Sequence, residues 1–258
     1  MSEAKPKKNS DLPVRVASAI VMVAIAGTAL WLGGWWLSAF VLAVAVAAYL
    51  EMTRLVIRAT DKIGIRLAGM LIGGVYIGVA TYVMLPNPSS PLFELLTWVV
   101  AVDVCAYFAG RTFGGPKIAP SISPSKTWSG LIGGALGATF VFLVPRKVFY
   151  DTGLCRWYYD TLDIIEYGAV QISFDSRCHI ATVPYDLVNI LLALLFGFVV
   201  AVVAQSGDFL ESWLKRKAGM EDSSQVIPGH VGVLDRVDGL IAVAFVIGLI
   251  GSIASFFQ

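Results

Sequence analysis

Long apolar runs, separated by short polar segments, restrict this sequence more than any other feature. They cover residues 16–32, 35–50, 67–85, 93–109, 128–144, 187–204 and 240–257. A helix needs about 20 apolar residues to cross a bilayer, and each run approaches that length. Charged residues make up only 14% of the chain, whereas a soluble domain carries about 25%. The sequence therefore predicts an all-α polytopic membrane protein with about seven transmembrane helices, plus or minus one.

The polar stretches divide the chain into four parts. We expect a disordered basic tail at 1–14, five spans within 15–144, an extracytoplasmic polar segment at 145–186, and a C-terminal region with the last two spans at 187–258. Two further polar segments, 51–66 and 110–126, are expected to be loops between spans on the cytoplasmic side.

The basic residues predict the orientation of the chain. With the N-terminus inside, the cytoplasmic segments hold all of the 19 lysines and arginines except Arg146, Lys147, Arg156 and Arg177. This asymmetry is typical of cytoplasmic loops, and a bacterial inner membrane with the polar site facing the cytoplasm is the expected location. The net charge is only +1, and no basic stripe with interleaved aromatic residues points to nucleic acid.

One segment, Gln205–Gly239, concentrates charge between the last two apolar runs. It holds Asp208, Glu211, Lys215, Arg216, Lys217, Glu221, Asp222, Asp235, Arg236 and Asp238. Such charge beside a bilayer is costly unless it lines a water-filled, ion-binding site. Because acids and bases alternate, the segment suits a metal with phosphate groups: carboxylates hold Mg²⁺, and Lys and Arg hold phosphate. Mn²⁺, or a second cation, is the alternative to Mg²⁺ alone.

The spacing within this segment predicts one shared surface. Four residues fall on one helical face: Asp208, Glu211, Ser212 and Lys215. The pattern breaks after Gly219, an irregular loop surrounds His230, and Asp235 and Asp238 open a second helix. From charge alone, a solvated juxtamembrane loop with ordinary helix caps is an equally good interpretation.

The order of residues in this segment carries more information than its charge. It reads Gly207-Asp208, Glu211-Ser212, Lys215-Arg216, Asp222, Ile227-Pro228-Gly229-His230, Gly232 and Leu234-Asp235-Arg236-Val237-Asp238. This pattern resembles the C-terminal motif of the phosphatidate cytidylyltransferases, or CDP-diacylglycerol synthases. Glu221 stands where that family usually has Lys, and Val231 stands where it has a second Gly.

A second stretch, residues 103–130, is also similar to that family. It contains Asp103, Gly110-Arg111, Phe113-Gly114, Ser123-Pro124 and Lys126-Thr127-Trp128, while Ser125 and Ser129 replace a Lys and a Glu. An acid inside an apolar run, such as Asp103, usually faces a water-filled cavity or the protein interior and is functional. Lys126 and Thr127 are expected at the start of a helix, where backbone N–H groups favour an anion.

The resemblance implies an enzyme that transfers the cytidylyl group from CTP to phosphatidic acid, giving CDP-diacylglycerol and pyrophosphate. We assign Asp208 and Asp235 as the leading metal ligands, supported by Asp103 and Asp238. The catalytic candidates are Asp208, Asp235, Lys126, Arg236 and His230, and the substrate-binding candidates are Lys215, Arg216, Thr127 and Arg111. The expected partners are CTP, phosphatidic acid and the lipid bilayer, and a homodimer is left open.

Other functions remain as alternatives. A CTP-dependent lipid-alcohol kinase is distantly similar, and an inactive homologue is an alternative because of the four substituted positions. A membrane transporter would also place acids on a pathway, although the charged segment occurs only once. A CDP-alcohol phosphotransferase is rejected, because Asp235-Arg-Val-Asp238-Gly239 begins its motif but no acid follows Asp238.

Two cysteines in the predicted extracytoplasmic segment test the orientation. Cys155 and Cys178 lie 23 positions apart, and an oxidising compartment would allow them to pair. A disulfide would stabilise the segment by roughly 3 kcal/mol, and two free thiols are the alternative. Non-reducing alkylation with mass mapping detects the bond. After reduction, an impermeant thiol reagent should label both cysteines in intact cells, and labelling only after lysis would contradict the orientation.

Overall fold

Seven helices and one hairpin make up the part of the chain that the computed structural model describes, residues 12–86, 91–151, 187–220 and 232–256. They are α1 (Leu12–Leu32), α2 (Gly34–Ala59), α3 (Ile63–Met84), α4 (Leu92–Phe113), β1 (Lys117–Ala119), β2 (Ser123–Thr127), α5 (Trp128–Asp151), α6 (Leu187–Ala218) and α7 (Leu234–Phe256). The all-α prediction is confirmed except at the hairpin, which lies in the predicted loop 110–126. Helix α1 begins at Leu12, inside the predicted tail. His230, Glu221, Val231, Cys155 and Cys178 lie outside the described residues.

Five of the helices are long and apolar enough to cross a membrane, namely α2, α3, α4, α6 and α7. Helices α1 and α5 contain shorter apolar stretches, Ile20–Leu32 and Trp128–Leu143. Large apolar side chains such as Val23, Leu71 and Ile72 are mostly exposed, and so much exposed apolar surface is unfavourable in water. These features indicate an integral membrane protein. The count of seven crossings stays a prediction.

Helix α2 extends further than the sequence suggested, through residues that we expected to form a loop. Its second half has a buried face of Glu51, Met52, Leu55 and Val56, whereas Arg54 and Arg58 are exposed. The expectation of a loop from residue 51 was wrong because burial at helical spacing stabilises the helix from one side. The charged residues merely occupy the opposite side.

Small residues allow α5 and α6 to pack closely. On α6, Ala193, Gly197 and Ala201 are buried at intervals of four residues, the spacing that brings helix backbones together in membranes. A Cβ atom at Gly197 would lie 2.6 Å from the carbonyl oxygen of Ala135 in α5. The hydroxyl of Thr139 in α5 donates a hydrogen bond to the Ala193 carbonyl at 3.3 Å. The other face of α5 packs along α4, and α7 packs on both α3 and α6.

Helix α6 carries the chain from the apolar layer to the candidate site. Its 32 residues span about 48 Å at 1.5 Å per residue, which exceeds a hydrocarbon core of about 30 Å. Its polar end therefore continues a span without interruption. The helix stops at Ala218, and Gly219 follows with a φ of 66°, which favours glycine. The predicted end of this helix is confirmed, and so is the second helix that opens with Asp235.

Replacing Gly197 tests the close packing of α5 and α6. Gly197→Ala should destabilise the protein by roughly 1–3 kcal/mol, because the added methyl group overpacks the contact. Gly78 in α3 is the matched control, since a Cβ atom there would meet no atom within 4 Å. Gly78→Ala should keep or slightly raise the stability. Thermal unfolding in detergent compares the two variants, and equal effects would contradict the packing.

Candidate metal and phosphate site

The close approach of α6 to α7 sets the geometry of the site. A Cβ atom at Gly207 of α6 would collide with the backbone carbonyl of Asp238 in α7 and would lie 3.0 Å from the Cβ atom of Ala242. Only glycine leaves room for this contact. Glu211 follows one turn after Gly207, and Asp235 precedes Asp238 by one turn, so the contact brings these acids to the same level.

Three carboxylates from the two helices converge. Glu211, Asp235 and Asp238 each offer one oxygen, and these oxygens lie within 4.8 Å of one another. We call these three residues the acid cluster. Asp208 and Asp103, which the sequence suggested as ligands, do not belong to this group.

Glu211 is the buried member of the acid cluster, with only 3% of its surface exposed. Among the described residues, neither of its carboxylate oxygens has a hydrogen-bond partner. The ammonium of Lys215 lies 3.1 Å from one of them, so it offsets charge without satisfying hydrogen-bond geometry. A buried carboxylate is costly when two further carboxylates lie within 4.8 Å and one lysine is shared among them, and a cation bound by oxygen ligands would remove that cost. The acid cluster therefore fits a divalent cation.

Lys215 ties the two helices together at the acid cluster. It is nearly buried, and its ammonium forms an ion pair with Asp235 of α7 as well as with Glu211 of its own helix. The predicted shared helical face is thereby confirmed for Glu211 and Lys215. Because its ammonium already contacts two carboxylates, Lys215 holds the acids in place before any phosphate binds.

A second ion pair lies beside the acid cluster. Lys126, at the end of β2, pairs with Asp208 of α6, and about a quarter of each side chain is exposed. The charge of Lys126 also acts on the carboxylates of Asp103 and Asp238. Lys126 is thus a partly exposed cation near the acid cluster.

The hairpin delivers Lys126 to this position. The chain leaves α4 through Gly114 and Gly115, which have φ values of 61° and 100°. The Ser129 hydroxyl donates a hydrogen bond to the Gly114 carbonyl, and the Trp128 amide donates one to the Pro116 carbonyl at 3.2 Å. These bonds fasten both ends of the hairpin to the junction of α4 and α5.

Thr127 has a structural bond that the sequence did not reveal. It ends β2, and its hydroxyl accepts a hydrogen bond from the Gly130 amide at 3.1 Å, which makes it the N-cap of α5. The expected position of Lys126 and Thr127 at the start of a helix is refined by the structure: both are the last residues of β2, which leads directly into α5. The Thr127 hydroxyl therefore already accepts the hydrogen bond of one backbone N–H group that an anion at this helix start would need.

The remaining candidates are exposed or lie outside the described residues. Arg216 and Arg236 are exposed. Arg111, also exposed, donates a hydrogen bond to the Tyr107 hydroxyl at 2.7 Å and lies 5.9 Å from the centre of that ring. Asp103 is accessible on α4, and His230 falls outside the described residues.

Sequence reasoning missed Glu211 as a metal-ligand candidate. The sequence placed it on one helical face with Asp208 and Lys215 but assigned it no ligand role. A signal was nevertheless present, because Gly207 stands one turn earlier and predicts a close approach of another backbone on the same face.

Comparison with known proteins extends over most of the chain. The model of the cytidylyltransferase family matches residues 65–254. A protein of Brucella suis biovar 1 (strain 1330) named "Phosphatidate cytidylyltransferase" is 31% identical, over 95% of this chain and 94% of its own length. Proteins of the same name from Rickettsia bellii (strain RML369-C) and Rickettsia felis (strain ATCC VR-1525 / URRWXCal2) are 32% and 31% identical over 93% of this chain, covering 91% and 92% of their own lengths.

Replacing Glu211 tests the acid cluster as a cation site. Glu211→Gln removes one of three carboxylates whose oxygens lie within 4.8 Å of one another, so the loss of repulsion should offset the lost ion pair with Lys215 and the metal-free variant should be at least as stable as the wild type. The wild type should gain about 2.7 kcal/mol when Mg²⁺ reaches 100 times its Kd, and the variant should lose most of this gain. Thermal unfolding across a Mg²⁺ titration measures both effects. Glu94→Gln, at an exposed position on α4, is the control, and a normal response of Glu211→Gln would contradict the site.

Proposed function

Because the chain belongs to the cytidylyltransferase family, we propose that it transfers the cytidylyl group from CTP to phosphatidic acid, forming CDP-diacylglycerol and pyrophosphate. The names of the relatives over nearly the whole chain support these substrates. The acid cluster next to the Lys126–Asp208 ion pair is the observation that carries the proposal, since it combines groups for a cation with a base for phosphate.

The chemistry requires two anions to be brought together. A phosphate oxygen of phosphatidic acid attacks the α-phosphorus of CTP, a new P–O bond forms, and the bond to the β-phosphate breaks to release pyrophosphate. The second pKa of a phosphate monoester is about 6, so the attacking group is already ionised near neutral pH and no general base is required. Catalysis therefore depends on positioning and charge neutralisation.

Mg²⁺ is the cation that we assign to the acid cluster. Glu211, Asp235 and Asp238 would hold it, and when bound it supplies positive charge to the phosphate oxygens. The sequence-based assignment of Asp208 as a leading ligand and of Asp103 as a supporting one stays a prediction. Asp208 pairs with Lys126 and lies one turn before Glu211 on α6.

Lysine and arginine side chains bind the phosphate groups in this proposal. Lys126 is half-buried and accessible, so its ammonium can turn from Asp208 to a phosphate oxygen at little cost. Lys215 does not bind a phosphate group directly in this proposal, because its ammonium is already paired with carboxylates. It instead holds Asp235 in place. Arg216, Arg236 and Arg111 are exposed and suit the polyphosphate or the lipid headgroup. Thr127 and His230 keep their sequence-based assignments as predictions.

The bilayer supplies one substrate and the cytoplasm the other. We assign the polar end of α6 to the cytoplasmic face of a bacterial inner membrane, where CTP is available, on the basis of the lysine and arginine distribution. Phosphatidic acid reaches the same depth from the membrane. One chain contributes all three residues of the acid cluster, so a homodimer is compatible with the site without being needed to complete it.

Labelled CTP tests the reaction directly. Purified protein with phosphatidic acid should incorporate the cytidylyl label into lipid only when Mg²⁺ is present. Asp235→Asn should lower kcat by about 10²-fold or more, the size of losing one preorganised electrostatic group, while the protein stays folded in detergent. Asp61→Asn is the matched control, because Asp61 is fully exposed in an ion pair with Arg66.

The outcomes of this assay separate the alternatives. Near-normal turnover of folded Asp235→Asn would contradict the metal assignment. Transfer of a phosphate to a lipid alcohol, with no cytidylyl incorporation, would identify a CTP-dependent kinase. Absence of any CTP turnover by well-folded protein would identify an inactive homologue.

A further inference from the structure

A buried glutamate from a distant helix caps the helix that carries two members of the acid cluster. Glu51 of α2 is 2% exposed. Its two carboxylate oxygens accept hydrogen bonds from the backbone amides of Val233, at 3.1 Å, and Leu234, at 2.8 Å. Leu234 is the first residue of α7, and Glu51 precedes residue 65, where the family match begins.

These bonds satisfy donors that α7 cannot satisfy by itself. The first N–H groups of a helix have no partner within the helix, and a side-chain acceptor usually comes from the residue just before it. Here the preceding residues, Gly232 and Val233, have no polar side chain. Glu51 takes that role from 182 positions away in the sequence. Its negative charge also lies at the positive end of the helix dipole, which offsets part of the cost of burial.

The cap has a consequence for the acids of α7. Asp235 and Asp238 lie in the first turns of this helix, where a carboxylate can serve as a local cap. Instead, Asp235 pairs with Lys215, and Asp238 accepts a hydrogen bond from the Gly239 amide at 2.7 Å. Because Glu51 accepts the hydrogen bonds of the Val233 and Leu234 amides, the carboxylate of Asp235 is not needed as a cap and can take part in the acid cluster.

We infer that Glu51 is a positioning residue for the cation site: it fixes the start of α7 and so holds Asp235 and Asp238 at the distance that cation binding needs. This inference rests on the proposed function for the identity of the cation and the reaction. Glu51 does not contact the cation or a substrate in this role. It acts through the backbone of α7.

Two variants of the full-length protein in detergent test the inference. Glu51→Ala removes both acceptor oxygens, and the nearly isosteric Glu51→Gln keeps one. Hydrogen–deuterium exchange of a peptide covering 232–240 should be faster in both variants, and more so in Glu51→Ala. The Mg²⁺ concentration for half-maximal thermal protection should rise about 10–100-fold, the range for outer groups that orient metal ligands, with the smaller rise in Glu51→Gln.

Val56→Ala is the matched control for a merely structural effect. Val56 is buried on the same face of α2 and packs against α3, where a Cβ atom at Gly69 would lie 2.8 Å from its Cγ1 atom. This control should lower the unfolding temperature but leave the exchange of 232–240 and the Mg²⁺ half-saturation unchanged.

The results separate this inference from the proposed function. Unchanged exchange at 232–240 in Glu51→Gln, or a Mg²⁺ response equal to that of Val56→Ala, would overturn the positioning role. If the wild type shows no cytidylyl transfer but the exchange and cation effects of the Glu51 variants are present, the proposed function fails and the positioning role stands.

Discussion

Carboxylates at the polar end of a membrane bundle need nearby positive charge, and this requirement organises the site. Four carboxylates, those of Asp208 and the acid cluster, lie around two ammonium groups, those of Lys126 and Lys215. When all of these groups are ionised, the acids exceed the bases by two charges, which is the charge of one divalent cation. Lys126 balances Asp208, while Lys215 alone faces the three carboxylates of the acid cluster, so the deficit lies at the acid cluster.

The scaffold meets this requirement by holding separate parts of the chain in fixed relation. Helix α5 packs on α4 with one face and on α6 with another, through glycine and alanine positions that allow close backbone contact. The hairpin between α4 and α5 is therefore held against α6, which explains how Lys126 reaches Asp208 across 82 positions of sequence. On the other side, the glycine contact at Gly207 holds α7 against α6.

The sequence predicted those features whose signals are local. Gly219 predicted the end of α6, and Asp235 and Asp238 predicted the start of α7. Both helix boundaries are confirmed. The hairpin was missed because the segment SPSKT has no alternation of apolar residues, and its stability comes from bonds to the ends of α4 and α5. Glu211 and Glu51 were missed for a related reason. Each is buried by contacts with a helix far away in the sequence, and the spacing of nearby residues does not predict such contacts.

The substituted position at Ser129 illustrates how a departure from the family pattern fits this architecture. A glutamate there, when ionised, could only accept hydrogen bonds, whereas the Ser129 hydroxyl donates one to the Gly114 carbonyl. It also lies 3.1 Å from the Thr127 hydroxyl. The serine therefore links the start of α5 to the end of α4, on either side of the hairpin, and at this position no carboxylate stands next to the strand end that carries Lys126. Asp208 then supplies the counter-charge to Lys126, so the orientation of this lysine depends on α6 rather than on its own hairpin.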